Sequence, residues 1–136
     1  MNLMTKKQYY MKIARTVAER GTCPKEKVGA VLIKDDHIIS TGYNGAPSGV
    51  PHCNEVGCKE VDNHCQRAVH AELNVLLQAA YHGQETKGSI LYSTHLPCNL
   101  CLQALKNAGV ETIYYDKPYK NQDNYMCVYF KIYKII

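Results

Sequence analysis

The chain has 136 residues, 46% hydrophobic and 21% charged, proportions that suit one domain over 1–136 with a real core and exclude a disordered chain. Sixteen Lys plus Arg against twelve Asp plus Glu leave a formal charge of +4, a mild excess that favours an anionic small molecule and falls short of a nucleic-acid-binding stripe. No apolar run reaches the length of a membrane span, and Lys6, Lys7 and Gln8 fall where a secretory leader would be apolar, so the expected compartment is the cytoplasm.

Thr5 and Gln8 have capping-box spacing, and Tyr10, Ile13 and Val17 follow along one stripe; together they predict a helix over residues 5–20 ended by Gly21. The β-rich runs VGAVLIK (28–34) and HIISTGY (37–43), joined by Asp35 and Asp36, predict a hairpin. Residues 44–66 carry Gly45, Pro47, Gly49, Pro51 and Gly57 without periodicity. A structureless loop this long in a small domain implies a function and needs something to hold it in place.

Leu73, Leu76, Leu77 and Ala80 recur at i, i+3, i+4 and i+7, predicting the apolar face of a helix that Gly83 terminates. SILYST (89–94) predicts a strand. HLPCNLCLQALKNAG then opens with Pro97 into a helix whose Cys101, Ala104, Leu105 and Ala108 share a face, closed by Gly109 and followed by the strand VETIYY (110–115). The order α, β-hairpin, α, β, α, β implies an α/β fold with helices packed on a mixed sheet.

Seven cysteines are many for this length, and their odd count argues against complete pairing; in a reducing compartment thiolates serve metal or catalysis. Cys98 and Cys101 fall at a strand-to-helix junction, near the positive end of a helix dipole, where thiolates are stabilised. Alone, this C-x-x-C fits a dithiol redox pair as well as a metal site.

His70 and Glu72, in RAVHAELNVLL, favour the metal. One imidazole and two thiolates give zinc three protein ligands and leave the fourth position open to water, while a nearby carboxylate can carry the protons. Two residues apart on a helix point about 200° from each other, so the pair shares a site only at a helix mouth. The alternative is that His70 is a cap and Glu72 a first-turn carboxylate facing the dipole.

HAE followed by PCNLC resembles the H-x-E…P-C-x-x-C signature of zinc deaminases. VGAVLIKDDHIISTGYNGAPSGVPHC, HCQRAVHAELN and LYSTHLPCNLC extend the likeness to the deoxycytidylate (dCMP) deaminase branch of the cytidine deaminase superfamily, over roughly residues 20–120. The resemblance implies a three-layer α-β-α cytidine-deaminase-like fold with a mixed central sheet. It further implies a catalytic zinc on His70, Cys98 and Cys101, with Glu72 carrying protons from water to N3 of cytosine and to the departing ammonia. The reaction would convert dCMP to dUMP, a thymidylate precursor. Asn44 would bond the deoxyribose and backbone near Ala71 and Thr94 would read the cytosine edge. Lys25 and Lys27 are candidates for the 5′-phosphate, and Tyr119 and Tyr125 for lid aromatics.

The resemblance also supports a second zinc, and four thiolates, Cys23, Cys53, Cys58 and Cys65, would make it a closed structural site that orders the long loop, with His52 and His64 as alternative ligands. Cys127 is left as a structural thiol. Relatives imply a homo-oligomer, commonly a hexamer, regulated by dCTP and dTTP with Mg²⁺ accompanying the nucleotide; Tyr81 stands where relatives often carry arginine. From about 117 to 136 the sequence departs from the family pattern, and its Tyr129, Lys131, Tyr133 and Lys134 fit either a strand or a helix. The rival readings are a deaminase of a nucleoside, dCTP or tRNA, a zinc-stapled binding protein without catalysis, and the dithiol redox protein.

Overall fold

A computed structural model describes residues 2–61, 64–119 and 123–135. The first helix, α1 (Lys6–Ala18), starts at the expected capping box: Gln8 N–H donates to Thr5 Oγ1 at 3.1 Å and Thr5 N–H to Gln8 Oε1 at 2.9 Å. It ends at Ala18 with Glu19 as cap, earlier than Gly21 suggested. Gly21 answers a different need, since a Cβ there would stand 2.5 Å from Asn44 Oδ1. Strands β1 (Gly29–Lys34) and β2 (His37–Tyr43) form the expected hairpin. Asp35 and Asp36 take φ of 50° and 61°, the left-handed pair of a type I′ turn.

The five-stranded sheet has the order β2-β1-β5-β6-β7, where β5 is Ile90–His95, β6 is Thr112–Lys117 and β7 is Lys131–Lys134. Strand β1 runs antiparallel to β2 and β5, while β5, β6 and β7 are parallel, so the sheet is mixed as expected. Period-two alternation divides its residues between two helical layers. Val31, Ile33 and Tyr92 pack against Tyr10, Met11 and Ala14 of α1. Ala30, Leu32, Leu91 and Ile113 face α3 (Ala71–Tyr81) and α4 (Asn99–Asn107) on the other side. Each fully buried large aliphatic side chain here contributes roughly 1.5–3 kcal/mol relative to exposure.

Two expectations are corrected. The stretch 44–66 is not structureless: it holds a one-turn helix α2 (Cys53–Val56) and a two-residue hairpin of β3 (Glu60–Val61) and β4 (His64–Cys65), and a bridge joins Gly45 to Val69. The buried face of α3 is Ala71, Glu72, Val75 and Ala79, whereas Leu73, Leu77 and Ala80 are exposed and Leu76 is half-buried. The reason is distance. At Gly42 of β2 a Cβ would lie 2.5 Å from Val75 N and 2.7 Å from Ala71 O, so only small residues fit where helix meets sheet.

The segment from about 117 to 136 adds a 3₁₀ turn (Tyr125–Tyr129) and the edge strand β7. Tyr133 extends an aromatic row on the α1 face, Tyr10–Tyr92–Tyr114–Tyr133, with ring centroids 5.3, 4.7 and 5.3 Å apart. Ile132, on the opposite face, packs with Met126 and Phe130 against the α3/α4 core. Ile132 packing on one face and the Tyr133 ring stacking on the other, although Tyr133 stays half exposed, make the terminal alternation an edge strand.

Candidate active site

His70 is the N-cap of α3, with extended backbone (φ −61°, ψ 145°). It stands outside the helix, so the 200° separation from Glu72 does not apply, and both side chains turn into one pocket. Cys98 is likewise the N-cap of α4, and Cys101 lies in its first turn. The Nδ1 atom of His70 is 3.6 Å from Cys98 Sγ and 3.4 Å from Cys101 Sγ. Zinc with bonds of about 2.3 Å to sulfur and about 2.05 Å to nitrogen, at tetrahedral angles, would hold such atoms about 3.6 Å apart. The donor triangle therefore fits the ion.

The electrostatics agree. A hydrogen bond from Cys101 brings the Cys98 thiol down to about 4, and the same bond together with burial pushes Cys101 up. The Cys98 sulfur also raises the pKa of His70. A metal would displace the protons that these groups share. Glu72 is only 4% exposed, and burial lifts its carboxyl above the usual range. Ser93 Oγ–H donates to Glu72 Oε1 at 3.1 Å.

The pocket above this floor has a volume of about 570 Å³ and is walled by Asn44 and by residues of four segments, 23–28, 65–72, 95–96 and 117–119. Asn44 accepts the Val28 N–H at 2.9 Å through Oδ1 and donates from Nδ2 to Glu26 O at 2.7 Å. One N–H and one lone pair remain for a ligand. Ala71 and Thr94 are buried beside the floor. Lys25 reaches the pocket but pairs with Glu60 of the β3–β4 hairpin. Lys27 and Tyr125 do not line it; the Tyr125 hydroxyl accepts from Gln103 Nε2 at 2.6 Å.

Sequence reasoning missed Ser93, Glu26, His95 and Lys117. Glu26 Oε1 lies 2.9 Å from His95 Nε2, and Thr94 Oγ1 lies 2.9 Å from His95 Nδ1. Burial lowers the His95 pKa, and a carboxylate only accepts, so the neutral ring carries its hydrogen on Nε2 and donates it to Glu26. Thr94 must then donate to Nδ1 while accepting the Gly29 N–H at 3.1 Å. The alternation of β5 was the signal available: Ser93 and His95 follow Leu91 at steps of two toward Cys98.

Cys53, Cys58 and Cys65 bring their sulfurs within 4.8 Å of one another, with Cys53 and Cys65 3.4 Å apart. Cys23 Sγ lies 4.0 Å from Cys58 Sγ. Two sulfurs on one tetrahedral zinc would be about 3.8 Å apart. Burial pushes Cys53 up to about 12; it acts on Cys65 too, but the backbone N–H groups of Ala68 and Arg67 prevail and bring that thiol to about 6. His52 turns its Nδ1 to Thr22 Oγ1 at 2.9 Å and the Ala46 N–H at 3.2 Å and is not among the clustered donors. The His64 side chain lies outside the described residues. Cys127 is half-buried against the α3/α4 core.

Fold and donors together define a metal centre of the open, catalytic type with a buried carboxylate beside it. The family described as the cytidine and deoxycytidylate deaminase zinc-binding region matches residues 4–117, and the chain belongs to that family. ComE operon protein 2 of Bacillus subtilis is 42% identical over 113 residues, covering 83% of this chain and 60% of its own length. The deoxycytidylate deaminase of Mycobacterium phage D29 is 36% identical over 121 residues, covering 81% of this chain and 93% of its own. The crystal structure of the cyanophage S-TIM5 dCMP deaminase in complex with dCMP and dUMP superposes with a TM-score of 0.84 at 30% identity, covering 98% of this chain and 100% of that one. Thus the chain spans less than two thirds of the Bacillus relative and nearly all of the two phage enzymes.

Proposed function

We propose that this protein hydrolyses dCMP to dUMP and ammonia, supplying a thymidylate precursor. The observation that carries the reading is the buried Glu72 carboxyl beside the His70, Cys98 and Cys101 donors, at the floor of a pocket large enough for a nucleotide. When bound, zinc lowers the pKa of water toward neutrality and so supplies the nucleophile. The chain's own residues do the rest. Glu72, its pKa raised by burial, would accept a proton from the attacking water and pass it to N3 of cytosine, then take the second proton from the hydroxyl added at C4 and give it to the amine, which leaves as ammonia while the C4 carbonyl forms. Ser93 holds the carboxylate in place. Backbone groups at Ala71 and Thr94 read the base edge, Asn44 uses its remaining N–H and lone pair on the deoxyribose, and Tyr119 covers the mouth. Lys25 stands nearby with its charge shared by Glu60.

The likeness in both sequence and structure to phage deoxycytidylate deaminases supports this substrate. The sulfur separations support a second, structural zinc held by Cys23, Cys53, Cys58 and Cys65. The exposed stripe Leu73, Leu77 and Tyr81 on α3 supports a homo-oligomer, with a hexamer as the expected size. Regulation by dCTP and dTTP, with Mg²⁺ on the nucleotide, and a cytoplasmic location complete the reading; no helix is long and apolar enough to cross a membrane among the described residues.

Ammonia release from dCMP, cytidine and a tRNA anticodon loop, measured side by side, tests the proposal. Turnover of RNA alone would reject it. In Glu72→Gln, zinc content should hold while turnover of dCMP falls by about 10²–10⁴-fold; unchanged turnover would remove Glu72 from the chemistry.

A further inference from the structure

We propose that Cys53 and Cys65 are a thiol-oxidation site in the wall of the substrate pocket: a hydroperoxide joins them as a disulfide, and the closure loosens the strap of residues 22–28 that lines the pocket. The inference rests on the nucleotide pocket proposed above and adds a chemical control to it. Access decides which thiol reacts first. Among the described residues the pocket lining includes Cys23 and Cys65 and neither Cys98 nor Cys101. Cys23 is 7% exposed whereas Cys65 is half-buried, so a small polar oxidant entering the pocket meets Cys65. The partner is already in place: Cys53 is buried, and its Sγ lies 3.4 Å from that of Cys65, against 4.0 Å between Cys23 and Cys58. A disulfide bond is about 2.05 Å long, so the two sulfurs need to approach by about 1.4 Å. Cys53 opens the one-turn α2 and Cys65 closes the two-residue β4, both outside the five-stranded sheet, so the approach leaves its ladders intact.

The chemistry balances with a peroxide as oxidant. The Cys65 thiolate attacks one peroxide oxygen, the O–O bond breaks, and a sulfenic acid and hydroxide form. The Cys53 thiolate then attacks the sulfenyl sulfur, making the S–S bond and expelling a second hydroxide. Two thiolates lose two electrons, the peroxide gains them, and solvent protons turn both hydroxides into water. Sulfurs joined in a disulfide no longer serve as thiolate ligands, so an ion shared with Cys23 and Cys58 passes to solvent and those two thiols regain protons. The strap then loses its hold at Cys23. Next to it, Thr22 N–H donates to Asn44 O at 3.0 Å and Thr22 Oγ1 meets His52, the residue before Cys53, while the Asn44 side chain binds Val28 N–H and Glu26 O. Lys25 ties the strap to Glu60 of the hairpin that carries Cys65. A shift of Cys53 and Cys65 is therefore passed to Asn44 and Lys25, whereas Glu72, Cys98 and Cys101 sit on α3 and at the start of α4, docked to the sheet.

The test exposes zinc-loaded protein to hydrogen peroxide and combines peptide mapping of alkylated thiols, zinc release to a chromogenic chelator and kinetics on dCMP. A Cys53–Cys65 linked peptide should appear with release of one zinc per chain and retention of the other. The KM for dCMP should rise by roughly 5- to 150-fold, the usual range of coupling between two sites, with a smaller change in kcat. A thiol reductant with added zinc should reverse both. Saturating dUMP should slow the linkage, because it fills the route to Cys65. Linkage of Cys98 to Cys101, or of Cys23 to Cys58, in place of the assigned pair would overturn the site, and so would thiols that all stay reduced. Linkage of Cys53 to Cys65 with an unchanged KM would overturn its coupling to the pocket. Mapping needs no turnover, so a chain that forms this disulfide yet never deaminates dCMP would reject the dCMP reading and keep the oxidation site.

Discussion

Gly42→Ala should separate the position of α3 from the presence of its side chains. A Cβ at residue 42 meets Val75 N at 2.5 Å, Ala71 O at 2.7 Å and Val75 Cα at 2.9 Å, all backbone atoms of one helix. An ordinary contact needs at least 3.4 Å, so α3 must retreat by about 0.9 Å, and overpacking of this kind costs about 1–3 kcal/mol. The retreat cannot be local. Ser40 Oγ donates to Val75 O at 2.7 Å and Asn74 Nδ2 to Tyr43 O at 2.9 Å, and these bonds dock the helix to β2 beside the substitution. His70 and Glu72 ride on the same end of α3, while Cys98 and Cys101 are carried by α4. A displacement near 1 Å between reacting groups costs on the order of 10²-fold in rate. Urea denaturation and steady-state kinetics on dCMP should thus show a modest stability loss with a disproportionate fall in kcat. A stability loss with wild-type kcat would refute the claim that the Gly42 contact sets the catalytic geometry.

The second metal centre should appear as a stoichiometry: two zinc ions per chain by elemental analysis, falling to one in Cys58→Ser or Cys65→Ser, with the apparent Tm lowered by on the order of 10 °C. One zinc in the wild type would refute the four-thiolate site. The His95 ring should make stability depend on pH. Burial holds its pKa below the ordinary 6.5, against opposing help from Glu26 and Asp116 and with Lys117 acting in the same direction as burial. The unfolded chain then binds the proton more readily, so this contribution is fully present above 6.5 and is lost as pH falls through the folded pKa. His95→Gln should flatten the urea midpoint against pH between about 5 and 7, and an unchanged slope would assign it to another group.

The elements were legible where local chemistry and burial agree. Thr5 and Gln8 announced the start of α1, and Asp35 and Asp36 announced the hairpin turn, because both devices are complete within four residues. The face of α3 was misread because its large side chains are not the buried ones. Leu73 and Leu77 have the spacing of a core stripe, yet the approach of β2 at Gly42 reserves the contact for Ala71, Val75 and Ala79. Nothing local records that approach. The zinc donors were legible as a motif, since H-x-E and P-C-x-x-C each place their residues at a helix start. Lys117 and Glu26 were not, because their relation to the floor depends on how β5 pairs with β6 and on how residues 23–28 line the pocket before entering β1.

Glu72 shows why the motif and the packing must be considered together. It occupies the helical phase of Ala71, Val75 and Ala79, where a carboxylate is costly, and Ser93 supplies one hydrogen bond against that cost. An apolar residue would pack there without penalty. The penalty is opposed once a divalent cation sits among His70, Cys98 and Cys101, because two thiolates cancel its charge only in the far field and leave a strong local field at the neighbouring carboxylate. Burial without a metal favours the protonated acid, and burial beside one draws the pKa back toward the range in which a carboxylate can both take and give a proton. On this argument the buried site and the metal act on the same carboxyl in opposite directions, burial raising its pKa and a neighbouring cation lowering it.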